Sequence, residues 1–292
     1  MQRAFDRGAE DLGNIVHLEH VNTRVPDQRL ATVFYISGLG LTRDPYMMTG
    51  TDNMWANAGR SQFHLPTGKP EVLRGVTGLV LPDRAALLRR LAAQREPLAG
   101  TDFDFREEAD HVLVISPWGN RIRAHAPDKR FGPVSLGIAY VLFDVPRGTA
   151  EPIARFYREV MAAPASVEAG EEGKRARVLV GAEQFLLFEE TDRAQPPFDG
   201  HHVAIYIANF SGPYRWLLER GLVSEESDQH QWRFEQNVDP ADGRPLFAVQ
   251  HEVRSMRHPF FNRHLVNRDP GQNNRNYAPE HEDWRWAMSS AG

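Results

Sequence analysis

Cysteine does not occur in the 292 residues. Its absence excludes disulfides, thiolate zinc sites, iron–sulfur clusters and cysteine nucleophiles. Lysine is nearly absent too: only Lys69, Lys129 and Lys174 occur, so the basic charge is almost all arginine. The 34 basic residues fall short of the 39 acidic ones, and a formal charge of -5 argues against nucleic acid or an anionic membrane as partner. No apolar run approaches the roughly 18 residues of a membrane span. The first 13 residues carry Arg3, Asp6, Arg7, Glu10 and Asp11 without an apolar stretch, which is no signal peptide; the default expectation is a cytoplasmic protein. A glycine-rich phosphate loop and a Gly-x-Ser-x-Gly nucleophile motif are also missing. What is present is a 41% hydrophobic fraction with 16 Phe, 7 Tyr and 6 Trp, ample for a core, and 12 histidines, the one soft metal-ligating residue in quantity.

The chain repeats itself. Ile15 to Arg24 reads as a strand closed by Val25-Pro26-Asp27. A helical spacing follows over Gln28 to Ile36, stopped by Gly38 and Gly40, and then short strands at Leu41 to Tyr46, Asn53 to Ala58 and Gln62 to Pro66. This β-α-β-β-β order recurs. A strand starting at Gly75 again ends in Pro82-Asp83, followed by the helix Ala85 to Gln94 and strands near Phe103 to Arg106, His111 to Ser116 and Arg121 to His125. A third copy starts at Leu136 and carries Phe156-Tyr157 where the first carries Phe34-Tyr35. A fourth starts at His202, with a helix over Tyr214 to Glu219 and strands over Gln231 to Gln236 and Leu246 to Val253. The expected class is α+β, with four βαβββ modules paired into two curved mixed-sheet cups. The modules are set at 14–70, 71–130, 131–195 and 196–256, before a tail at 257–292 rich in Asn, Arg and Pro. One such module cannot cover its own sheet face, so copies must pair edge to edge.

Several stretches carry a family resemblance: His20-Val21-Asn22-Thr23-Arg24-Val25-Pro26-Asp27, Phe34-Tyr35 with Gly38-Leu39-Gly40-Leu41, Gln62-Phe63-His64-Leu65, Pro117-Trp118-Gly119-Asn120-Arg121-Ile122 and His201-His202-Val203-Ala204-Ile205. In that order and spacing, over roughly residues 14 to 253, the sequence resembles the vicinal oxygen chelate superfamily. Its members include glyoxalase I, bleomycin- and fosfomycin-resistance proteins and type I extradiol dioxygenases. The resemblance implies metal ligands at two places per module: early in the first strand, seven residues before its closing Asp, and in the fourth strand. Those places hold His20 and His64 in module one, Val76 and Arg123 in module two, Tyr140 and Leu186 in module three. In module four they hold His202 and a residue within Gln250-His251-Glu252, taken as Glu252.

Pairing decides the chemistry. Modules one with two and three with four would leave two incomplete sets. Modules one with four would give one cup His20, His64, His202 and Glu252, and leave modules two and three without a metal set; this pairing is favoured. Such donors suit Fe(II), the favoured ion, or Mn, Ni, Zn or Co, with coordination positions left open. Strand alternation also points Arg24 and Tyr206 inward, Arg24 as a partner for a substrate anion and Tyr206 as a proton donor. Trp55, Trp232 and Phe234 could wall an aromatic ligand. The bland reading of any strand histidine is a partly exposed polar residue. His251, His258 and His264 are read as surface residues, and His17 and His111 as non-ligands. The resemblance implies a dioxygenase acting on an aromatic or enediol-like small molecule. The alternatives are a glyoxalase-type lyase or isomerase and a non-catalytic binding protein. A homodimer is a further expectation, since exposed sheet edges can pair between chains.

Overall fold

A computed structural model describes residues 6–44, 47, 52–263 and 265. The first module is β1 (Ile15–Asn22), α1 (Gln28–Ala31) continued by a wider helical turn over Thr32–Gly38, β2 (Thr42–Arg43), β3 (Asn53–Ala58) and β4 (Ser61–Pro66). The second is β5 (Gly75–Val80), α2 (Arg84–Ala93), β6 (Asp104–Glu107), β7 (Val112–Ile115) and β8 (Arg121–His125). The third is β9 (Gly137–Pro146), α3 (Ala150–Glu159), β10 (Ala165–Ala169), β11 (Lys174–Gly181) and β12 (Gln184–Thr191). The fourth is β13 (His202–Ile207), α4 (Ser211–Leu218), β14 (Val223–Asp228), β15 (Gln231–Val238) and β16 (Pro245–Ser255).

The Pro-Asp repeat has a local cause. Asp27 and Asp83 are extended residues whose carboxylates accept the amide hydrogens of Leu30 (2.9 Å) and Ala86 (2.8 Å), capping α1 and α2. The proline before each holds the chain extended into the cap. Module three lacks this device, and the Ala150 amide instead donates to the buried Glu190 carboxylate at 3.0 Å. Strands β10 and β14 have no counterpart in the sequence reading. They are exposed edge strands, Ala-Ser-Val-Glu-Ala and Val-Ser-Glu-Glu-Ser-Asp, with too few apolar positions to show a period of two. Of the expected strand Leu41 to Tyr46, Thr42 and Arg43 are in β2, and Tyr46 lies outside the described residues.

The strands form two eight-stranded sheets, open rather than closed, in the orders β14-β15-β16-β13-β1-β4-β3-β2 and β10-β11-β12-β9-β5-β8-β7-β6. Both are mixed: each module's first strand runs parallel to its fourth and antiparallel to the first strand of the paired module. Strand β1 is therefore joined to β13, and β5 to β9. The architecture is the expected α+β one, with the first and fourth copies sharing one sheet and the second and third the other.

One apolar core unites residues of both sheets with Phe34, Tyr35, Leu87, Leu91, Phe156 and Tyr157 from the helices. Helix α3 packs on β10, β11 and β12 of one sheet and on β15 of the other, so it lies between them. Fully burying each large apolar side chain contributes about 1.5–3 kcal/mol. This arrangement turns the opposite face of each sheet into the cup. It also reverses two expectations. Trp232 and Phe234 face the core beside Phe156 and Tyr214, so the cup side of β15 carries Arg233 instead. His251 is fully buried, stacked on Phe234 at 4.3 Å and accepting from or donating to the Tyr157 hydroxyl at 2.6 Å; it is no surface residue.

The start of the C-terminal tail does not trail over the surface. His258 is buried, Phe261 packs on Tyr206 at 4.9 Å, and Arg263 reaches Asp44 (3.0 Å) and Gln62 (3.2 Å). Residues 256–263 thus run from the end of β16 to the module-one wall of the same sheet. His264 lies outside the described residues. Among the described residues, no helix is long and apolar enough to cross a membrane.

Candidate metal centre

The cup of the first sheet gathers ligand-type side chains from four adjacent strands. In register, Asn22 of β1 lies beside His64 of β4 and His202 of β13, and Ala204 lies beside both His20 and Glu252. His20, His64, His202 and Glu252 are therefore diagonal neighbours across β4-β1-β13-β16, near enough for long side chains to converge. The three imidazoles each bring a ring nitrogen within 4.8 Å of the other two. The His20 and His202 Nε2 atoms are 3.3 Å apart, and His202 Nε2 lies 3.4 Å from Glu252 Oε2.

Two observations fit this set to a cation. Both His64 ring nitrogens are buried with no hydrogen-bond partner among the described residues, an expensive arrangement unless something binds them. The Nε2 atoms of His20 and His202 also face each other, a pairing that a shared cation would satisfy. The protonation states agree. Burial, with the charges of His20 and His202, pushes His64 well below the usual imidazole range, and burial pushes His202 down to about 4. Burial alone would raise Glu252, but Arg254 and His202 outweigh it and hold the carboxyl well below its usual range. Neutral imidazoles and an ionised carboxylate are the forms that bind metals. The Trp55 indole stacks on His64 at 3.7 Å and meets His20 edge-on, fixing both rings.

Glu252 is not a free carboxylate. Its Oε2 accepts from Arg233 Nη2 at 2.5 Å, and its Oε1 lies 2.5 Å from Arg254 Nη2. Arg254 is buried and also pairs with Glu19. Glu19 lies next to His20 yet on the same side, because a bulge in β1 between Leu18 and His20 breaks the alternation. Its Oε2 lies 3.0 Å from His20 Nδ1, and its Oε1 accepts from the Tyr206 hydroxyl at 2.6 Å. Burial would raise Glu19; Arg254 and His20 bring it down to about 2. Burial and the neighbouring Glu19 carboxylate push Tyr206 up, so the hydroxyl keeps its proton and donates a hydrogen bond to Glu19.

Of the six residues singled out in the sequence, His20, His64, His202 and Glu252 come together, and Tyr206 reaches them through Glu19. Arg24 goes elsewhere: it lies past the end of β1, half exposed, with its Nε 2.5 Å from the buried Glu71. Glu19, Arg233 and Arg254 were not foreseen. Strand alternation places Glu19 on the wrong face, and only the bulge reverses it.

The sequence matches no family model and no curated protein. Solved structures resemble the chain in fold. A candidate dioxygenase from Bacillus subtilis superposes with a TM-score of 0.56 at 13% identity, over 96% of this chain and 96% of its own. Glyoxalase I from Zea mays superposes with a TM-score of 0.55 at 12% identity, over 82% of this chain and 92% of its own. The chain shares the fold of these two proteins.

The second sheet holds a cup of different chemistry. It encloses about 220 Å³ lined by Val76, Arg121, Arg123, Asp144, Glu171 and Glu189, among others. Ion pairs fill it: Arg123 forks onto Glu171, and Arg121 and Arg193 share Asp144. Leu186 is not part of it; unbroken alternation along β12 puts Leu186 and Phe188 in the core and Glu189 in the cup. Beside that cup, Asp110, His111 and His125 bring donor atoms together, but Arg130 already contacts Asp110 at 3.1 Å and His125 Nδ1 at 3.1 Å, so a guanidinium fills the cation's place.

Burial chiefly, with Arg130 beside it, lowers His125 to about 4. A folded-state value below that of the unfolded chain means the unfolded state takes up the proton first. Stability should fall as pH drops from about 6.5 toward 4, by up to roughly 3 kcal/mol from this residue. Urea unfolding at pH 7 and pH 4.5 checks this. His125→Asn should lose less stability on acidification than the parent, and equal losses would refute the assignment.

Proposed function

We propose that the chain is a metal-dependent enzyme, a dioxygenase that takes an aromatic or enediol-like small molecule through two adjacent oxygens. The observation that carries this reading is His64, whose two buried ring nitrogens lack partners while the Nε2 atoms of His20 and His202 converge beside it. His20, His64 and His202 would hold the ion, with Glu252 as fourth donor, leaving positions for substrate. A bound divalent ion there would supply Lewis-acid polarisation and, if iron, a meeting point for oxygen and substrate.

The residues themselves do the rest. Trp55 locks the His64 and His20 rings, so the donors are preorganised. The Oδ1 of Asn22, buried between the strands of His64 and His202 and without a hydrogen-bond partner among the described residues, would offer an acceptor to a substrate hydroxyl. The choice of dioxygenase over a glyoxalase-type isomerase rests on the carboxylates. An isomerase must shuttle a proton with a free base, whereas Glu252 and Glu19 are each held by arginine. The isomerase remains the alternative because a single cup spans the paired modules, and a binding protein without metal is the null outcome.

Metal analysis of protein purified without chelator, followed by oxygen uptake with a panel of catechols, tests the reading. About one iron or manganese per chain with oxygen uptake supports it. Nickel or zinc with isomerisation of a thiohemiacetal would favour the alternative. No metal would overturn both.

A further inference from the structure

We propose that Glu19 is a positioning residue for the metal centre, setting the tautomer and aim of His20; this deepens the metal-dependent reading and rests on it. An imidazole can offer only one nitrogen to a metal while the other keeps its hydrogen. A carboxylate against Nδ1 assigns the hydrogen there, frees Nε2 and raises its basicity. Glu19 Oε2 sits 3.0 Å from His20 Nδ1, on the side of the ring away from His202.

Glu19 is itself fixed. Tyr206 on β13 donates to Oε1 at 2.6 Å, and Arg254 on β16 pairs with Oε2. The Nε of Arg254 is aligned by Gln231 at 2.9 Å, and its other arm lies 2.5 Å from Glu252. The row Glu19-Tyr206-Arg254 crosses three neighbouring strands and ties the histidine donor on β1 to the carboxylate donor on β16. The β1 bulge has a purpose in this reading: without it Glu19 would point into the core. The second sheet gives an internal comparison. There the position matching His20 is Val76 and the residue before it is Gly75, so ligand and supporting carboxylate are missing together. Glu19 and Tyr206 also line a cavity of about 1060 Å³ that extends between Arg60, Leu136, Gln184 and Phe261 and has none of the three histidines in its wall. Glu19 and Tyr206 thus face both that chamber and the donor side of the sheet.

Cobalt(II) titration of the full chain tests the proposal, reading both the dissociation constant and the visible d–d spectrum. Wild type should bind one ion. Glu19→Gln, which keeps the shape and loses the charge, should bind about 10–100-fold more weakly, the range for lost outer-layer partners of a ligating histidine. Its spectrum should shift, which a purely structural role would not require. If Glu19→Gln does not fold, the double variant Glu19→Gln/Arg254→Gln removes both charges together and should show the same shift. Wild-type affinity and spectrum in the folded variant would overturn the role of Glu19 while leaving the metal reading intact. Failure of the wild type to bind cobalt would overturn both.

Discussion

Arg254→Met is expected to lower the stability of the metal-free protein by about 3–5 kcal/mol, the cost of stripping the partner from buried charges. Arg254 is buried, and its two arms reach Glu19 and Glu252, themselves almost wholly inaccessible. Methionine fills the stem's volume, so the loss is chiefly electrostatic: two carboxylates remain, one still facing Arg233 and one facing only Tyr206 and His20. For a chain of this size the melting temperature should drop by roughly 10 °C. A divalent ion bound at the histidines would restore part of that loss, because it supplies the missing positive charge and binds only the folded state. Calorimetry with and without added metal measures both effects. A drop of less than 2 °C would mean that Glu19 and Glu252 find other partners, and the buried row would then not be a unit.

The second large effect concerns the histidines. His64→Ala, or equally His202→Ala, should abolish stoichiometric metal binding and lower turnover by about 10³-fold or more, because metal Lewis acidity is worth several kcal/mol of transition-state stabilisation. Stability should not fall as in the Arg254 case. His64 carries two buried unpartnered nitrogens, so removing it relieves a desolvation cost in the metal-free protein. The cavity left beside Trp55 offsets that gain, and a melting temperature within a few degrees of wild type is expected. A variant that keeps both metal and activity would eliminate the three-histidine centre. One that loses both only because it unfolds would show up in the melt.

The β-α-β-β-β order was legible because it recurs along the chain: a β-branched strand, an apolar helix stripe and short strands under glycine turns, with the strand closed by a Pro-Asp cap in the first two copies. The helix caps on Asp27 and Asp83 are contacts within three residues, so sequence spacing alone reveals them. The edge strands β10 and β14 were not legible, since exposed strands need no apolar alternation. The aromatic pair Trp232 and Phe234 was read onto the wrong face for a related reason: period two shows that alternate residues share a face without saying which face is the core.

Sequence by itself determined the repeat and the fold class, because those follow from periodicity and local caps; the three histidines were singled out by what the family resemblance implies for the first and fourth strands of a module. Only the tertiary structure decided what surrounds them. It joined β1 to β13 rather than to β5, turned Glu19 to the side of His20 through a one-residue bulge, and set Arg254 between two carboxylates 233 residues apart in the chain. It also took Arg24 out of the centre by pairing it with Glu71. Charges seek partners across strands that are remote in sequence, and a bulge is a register choice made by two strands together, so neither leaves a mark on one strand read alone.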